Sequence, residues 1–231
     1  MWTLATLCQE MLRASTSFCY KYMDIMTSRS YHHGNLKQAL LEASLDLIRK
    51  SGPGAFTLRE VARRAGVSHN APYRHFRDKE ALLAALAAEG FDRLTATMTK
   101  AADLASGALE RFRMTGRGYV EFALFYPQHF AVMFEVPWQF DLYPETQAAG
   151  KRAFGTLVRH IEACQTEGAL PTGDAEPRAL LAWSLVHGVA KLAISGRLPW
   201  SEPAVVLDFT DVATTVLSRG MARAVTPQVD T

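Results

Sequence analysis

From about residue 35 to residue 219 apolar positions recur three and four apart, and no stretch alternates convincingly at period two, so the chain reads as helices with no strands. Asn35 followed by Gln38 is a capping-box pair, and Leu36, Leu40, Ala43 and Leu47 share one face of a first helix running to about Lys50. Ser51-Gly-Pro-Gly54 stops it, because Pro53 disfavours helix in the residue before it and the glycines supply turn geometry. Thr57 and Glu60 form a second capping box, flanked by Phe56 and Val61 as a hydrophobic staple, so a second helix starts at Thr57. Gly66 is placed to be its left-handed cap and Val67 to plug the following turn. Ser68 then caps a third helix, in which Pro72 is tolerated only within the first turn. The spacing predicts a helix-turn-helix whose second helix is short enough for its first residues to reach base edges in a major groove.

The pattern beyond Asp78 is larger in scale. A long helix capped by Asp78 carries Leu82, Leu83, Leu86, Phe91 and Leu94 to about Ala101, and a further one spans 108–126 with Phe112, Tyr119, Phe122 and Phe125 on its apolar side. Pro127 opens a short helix through Phe130 and Phe134, a loop holds Pro137 to Pro144, and 145–167 is helical up to the stop at Gly168. Residues 178–194 are apolar nearly all round, which requires cover on more than one side. In 203–219, Val205, Phe209, Val212 and Val216 make a stripe suited to a helix-pair seam. These last two helices, with Val189 added from the first, predict a homodimer interface of four helices.

A chain of 231 residues with 48% hydrophobic and 21% charged residues has the composition of a soluble globular protein with a real core. The charge is segregated: Arg29 to Glu80 holds ten Lys and Arg against five Asp and Glu, and the rest fifteen against eighteen. A basic head on a slightly acidic body points to nucleic acid. Apolar runs such as 179–194 are interrupted by Ser184, His187 and Lys191, and no membrane span is expected. With Cys164 alone in the globular part, a reducing cytoplasm is the expected compartment. Residues 1–29 lack the features of a secretory signal and read as a mis-assigned start or an extension, a short extra helix being the alternative. The sequence has no Gly-rich phosphate loop after a strand, no Gly-x-Ser-x-Gly, no Cys-x-x-Cys and no His-Glu-x-x-His, so neither an enzyme nor a cofactor is expected. His32 and His33 lack further ligands at metal spacing and read as a solvated arm able to reach a minor groove.

Thr57-Leu-Arg-Glu-Val-Ala-Arg-Arg-Ala-Gly-Val-Ser68, Ala71-Pro-Tyr-Arg-His-Phe76 and Asp78-Lys-Glu-Ala-Leu-Leu83 together resemble the DNA-binding head of the tetracycline-repressor (TetR) family. Tyr31-His-His-Gly-Asn-Leu36 is similar to the lead-in of one subgroup, and Phe122 to Phe130 with Trp183, His187 and Gly188 resemble the C-terminal domain named for its Trp-His-Gly signature. Asn70 departs from the glycine or alanine usual in such relatives, which bears on base preference. The resemblance implies that Thr57, Tyr73 and Lys79 contact phosphates and that His69 and Asn70 read bases. Asn suits adenine and His guanine, and the Ala71 methyl can pack on a thymine methyl. Ser68, Arg74 and His75 complete the DNA-facing set. Phe76 is core; Tyr73 is a phosphate contact or core.

The expected fold is all-α: a three-helix helix-turn-helix head over 30–83, a helical-bundle body for effector binding and dimerisation over 84–224, and a tail at 225–231. Aromatic residues crowd the body, and Phe122, Tyr126, His129, Phe130, Phe134, Trp183 and His187 are the candidate wall of an apolar effector pocket, His187 being equally readable as a buried structural histidine. The function expected is that of a cytoplasmic regulator, in this family most often a repressor, that binds a palindromic operator in double-stranded DNA as a homodimer. A small apolar or amphipathic effector would release it; the alternative is a body that only dimerises.

Overall fold

The computed structural model describes residues 36–223, and residues 37–223 of these form one compact unit. The expectations for 1–29, His32, His33, the Asn35 cap and the tail at 225–231 fall outside the described residues. Among the described residues eight α-helices run in chain order: α1 Leu36–Ser51, α2 Leu58–Arg64, α3 Lys79–Asp103, α4 Ala108–Phe125, α5 Pro127–Glu135, α6 Pro144–Thr166, α7 Glu176–Ile194 and α8 Pro203–Ala222. Single 3-10 turns lie at Pro72–Arg74 and Phe140–Leu142, and no strand occurs among the described residues.

The head closes on a small core of Leu40, Ile48, Phe56, Leu58, Val61 and Phe76, all buried. Its α1 and α2 are also joined at the surface, where Arg64 holds Asp46 through two of its nitrogens. Asp78 accepts from the Ala81 N–H at 2.7 Å and so starts α3, which carries Leu82, Leu83 and Leu86 in the head and Phe91, Leu94 and Met98 in the body. In the body α4 is the central helix, packed against α3, α5, α6, α7 and α8. Its glycines allow the closest of these approaches. A Cβ on Gly118 would lie 2.9 Å from the Met98 Cα and the Thr97 carbonyl, and one on Gly116 would lie 2.9 Å from a Thr214 methyl.

One local expectation is corrected. Instead of an α-helix beginning at Ser68, residues 68–71 form a turn that leads into the single 3-10 turn Pro72–Arg74. Ser68 contributes its carbonyl, which accepts from the Ala71 N–H at 2.9 Å, and Arg74 and His75 likewise bond three residues back. Within this segment only the Phe76 N–H reaches four residues back, to the Pro72 carbonyl at 2.9 Å, so the shorter bonds prevail and no α-helix develops before α3.

Candidate functional site

The turn of the head is built as its sequence requires. Thr57 Oγ1 accepts from the Glu60 N–H at 3.3 Å, and Glu60 accepts from the Thr57 N–H at 2.8 Å and from its hydroxyl at 2.9 Å. Those bonds from the Thr57 side chain and backbone, with Arg63 nearby, hold the Glu60 carboxyl below its ordinary pKa. Gly66 has φ +70°, where only glycine is unstrained, and this left-handed turn lets the Val67 N–H reach the Ala62 carbonyl at 3.0 Å. Past the turn, Ser68, His69, Asn70, Tyr73, Arg74 and His75 are exposed together, Tyr73 to 53%, whereas Ala71, Pro72 and Phe76 are buried. Tyr73 is therefore outside the core. The exposed group combines amide, imidazole, phenol and guanidinium donors on one short projection, a chemistry matched to phosphate oxygens and base edges.

Lys79 is more committed than expected. Its Nζ donates to the Gly54 carbonyl at 2.9 Å and sits 5.5 Å from the Phe56 ring centroid, which ties the start of α3 to the turn before α2. Two of its three N–H donors are left for a phosphate. Arg77 beside it donates to Asp78 at 2.9 Å and lies 5.8 Å over the Tyr143 ring, a contact between head and body that sequence reasoning missed. A hydrogen bond to Tyr143 and the Asp78 charge keep its guanidinium firmly protonated.

In the body the seven candidate pocket residues divide. Phe130, Phe134, Trp183 and His187 gather around Tyr119: Phe130 stacks on His187 with centroids 5.2 Å apart, and Phe134 meets His187 edge-on at 4.9 Å. Phe122, Tyr126 and His129 lie in a separate row, with centroids 5.5 Å apart for the first pair and 6.0 Å for the second. His129 is only 3% exposed, and its Nε2 has no hydrogen-bond partner; Glu89 Oε1 stands 3.7 Å away. The close approach of the His129 side chain is the main influence holding the Glu89 carboxyl down to about 2, and Arg93, which donates to the same oxygen at 2.8 Å, adds to it.

The rings of the Tyr119 group pack on one another, with Tyr119 and Phe130 buried and Phe134, Trp183 and His187 half-buried. A cavity of about 20 Å³ lies at its edge, lined by Met98, Phe112, Thr115, Gly116, Tyr119, Leu157, Ala182, Trp183, Val186, Thr214 and Leu217. That is room for one water. Of the seven candidates Trp183 alone lines it. The signal for the others was the pair of mid-helix glycines at 116 and 118, which mark where helices approach closely. Beside the cavity, Trp183 Nε1 donates to the Tyr119 hydroxyl at 3.1 Å, and that hydroxyl shares a hydrogen bond of 2.8 Å with His187 Nδ1. Burial, then Lys191, push the His187 pKa below 6.5, and burial raises that of Tyr119.

On the outer face Val205, Phe209, Val212 and Val216 are exposed, as are Leu180, Leu181 and Leu192. Val189 is not part of this surface: at 6% exposure it belongs to the protomer's own interior. No group of three or more His, Cys, Asp or Glu able to hold a metal ion is found among the described residues, and no helix there is long and apolar enough to cross a membrane.

Residues 40–86 match the family described as bacterial regulatory proteins, tetR family, and residues 112–215 match the tetracyclin repressor-like C-terminal domain. The chain belongs to the TetR family. Its function is accordingly DNA-binding transcription regulation rather than enzymatic catalysis. Among solved structures, a protein of unknown function from Rhodococcus sp. RHA1 is 37% identical with a TM-score of 0.74, over 84% of this chain and all of that one. FadR from Bacillus subtilis, solved in complex with stearoyl-CoA, shares the TetR fold at 14% identity and a TM-score of 0.68, over 79% of this chain and 98% of its own. The transcriptional repressor Rv3405c of Mycobacterium tuberculosis is 35% identical over 79 residues. That match spans 32% of this chain and 40% of the relative.

Proposed function

We propose that this TetR-family regulator acts in the cytoplasm as a homodimeric repressor of a two-fold operator and is released by a small apolar effector. The observation that carries the dimer is the uncovered apolar face of α7 and α8, which a second copy would cover. A single exposed reading turn makes few base contacts, and two heads related by a two-fold axis double them on a palindrome. The name of the Mycobacterium tuberculosis relative supports repression as the direction of control. The FadR neighbour holds an acyl-CoA, and the Tyr119, Trp183 and His187 network beside an apolar cavity supports a largely apolar ligand here.

The small size of this cavity favours a second reading, in which the body only dimerises and no effector acts: a molecule larger than water placed there must displace Trp183 or its neighbours. Selection of bound fragments from random DNA tests the operator, with a two-fold consensus expected and an asymmetric one overturning the dimeric repressor. A melting screen against small apolar molecules separates the two readings. A ligand at a hundredfold excess over its Kd stabilises by about 2.7 kcal/mol; a screen in which none shifts the melt supports the effector-free body.

A further inference from the structure

Helix α8 carries a self-complementary arrangement along its uncovered side. Val205, Phe209, Val212 and Val216 recur at helical spacing on its outer face, while Val206, Thr210, Thr214 and Ser218 are buried on the inner one. Val212 and Val216 are the barest of the stripe, at 62% and 64% exposure. Asp208 and Arg219 stand exposed on one flank of it, about 20° apart around the helix at 100° per residue. Neither takes part in a hydrogen bond or ion pair among the described residues, whereas Asp211 on the same helix is held by Arg117.

Opposite charges on the same flank, equally far before and after one point, suit an antiparallel two-fold contact, in which residue i meets j and j meets i. The midpoint of Asp208 and Arg219 falls between Ala213 and Thr214, and the midpoint of Val212 and Val216 falls on Thr214. One register therefore serves both the charges and the barest apolar residues.

Gly188 on α7 adds an independent observation. It shares the outward face with Leu181, Leu185 and Leu192, and a Cβ there would meet nothing within 4 Å. Gly90, Gly116 and Gly118 each have a neighbour 2.6 to 2.9 Å from the same position, and Gly220, which is also open, lies in the last turn of α8. A mid-helix glycine weakens its helix. With no reason inside the protomer for its small size, Gly188 has one in a second body that approaches the backbone. The face between Leu181 and Leu192 is neutral apart from Lys191, which Glu135 already engages, so it suits a copy of itself.

We infer that a second copy of this chain lays its α8 antiparallel across α8, Asp208 of each facing Arg219 of the other, with Gly188 marking a close approach of the second copy's backbone. This rests on the homodimer reading and adds its register. Sedimentation equilibrium of the full chain at low salt tests it. Asp208→Arg and Arg219→Asp should each weaken dimerisation about tenfold, since each creates two like-charge contacts, and the loss should shrink at about 0.5 M salt. The double reversal should return to within about twofold of the parent. Gly188→Ala should weaken the dimer while raising the melting temperature of the dilute monomer. A double reversal as weak as either single change overturns the register, and a Gly188→Ala chain that dimerises as well as the parent overturns the close approach. A parent that stays monomeric at every concentration defeats the homodimer reading itself.

Discussion

At the residue scale, side chains that neighbour one another in the sequence have separate tasks. Trp183 and His187 point inward to Tyr119 and Gly188 outward, so the signature residues divide between core and surface. The inward network has a consequence for pH. Burial lowers the His187 pKa, so below about 6.5 the unfolded chain takes up the proton more readily than the folded one, and stability falls as the medium is acidified. His160, half-buried and hydrogen-bonded to Thr115 across 2.5 Å, shifts in the same direction and adds to the loss. Urea midpoints between pH 7.5 and 5.5, an interval of about one unit either side of a free imidazole, should fall for the parent. They should fall less for His187→Gln, which can still hydrogen-bond to Tyr119 but does not titrate; equal falls would remove His187 from the effect. In the head, Asn70→Ala removes an exposed amide without altering charge. Discrimination at one base pair of the half-site should drop by about 1 to 3 kcal/mol while the salt slope of log K stays unchanged. A uniform loss on every single-base variant of the operator would leave Asn70 a positioning group.

At the element scale, legibility followed locality. Caps, the Gly66 turn and the Asp78 start rest on residues within four positions of one another, so the boundaries of α2 and α3 were readable from the chain alone. The 3-10 turn at Pro72–Arg74 was not, because a proline marks where a helix can begin and says nothing of how many bonds follow. The effector wall is less legible for a different reason. A run of aromatic residues announces buried area, but whether rings enclose a space or fill it depends on how separate helices pack, and here Phe130, Phe134 and His187 occupy the room themselves. Packing between α3 and α4 is the most demanding of these contacts. Gly118→Ala would drive a methyl into the Met98 Cα and the Thr97 carbonyl, atoms that cannot step aside without moving α3. A loss of about 1 to 3 kcal/mol is expected, read as a lower urea midpoint. An unchanged midpoint would mean that α3 and α4 part freely at this point.

At the scale of the whole molecule, the basic head and the apolar outer face of the body pose one problem between them. The head offers a short exposed projection, and the body exposes Val212 and Val216 by more than half although much of the rest of its apolar surface is covered. Association of two chains answers both at once: it removes the apolar face from water and brings two heads to one duplex. The link between the two effects is testable because the exposed valines have no intramolecular duty. Val212→Glu adds a charge at a position already 62% exposed, so the fold of the single chain should keep its helical circular dichroism, with a stability change within about 0.5 kcal/mol. Dimerisation should be lost at micromolar concentration, and operator affinity should fall with it, because a lone half-site is held only weakly. Phe209→Glu should act in the same direction, with some further cost from its contact to Trp200, whose ring centroid lies 5.4 Å away. A Val212→Glu chain that sediments as a monomer yet keeps full operator affinity would separate DNA binding from the α7 and α8 surface.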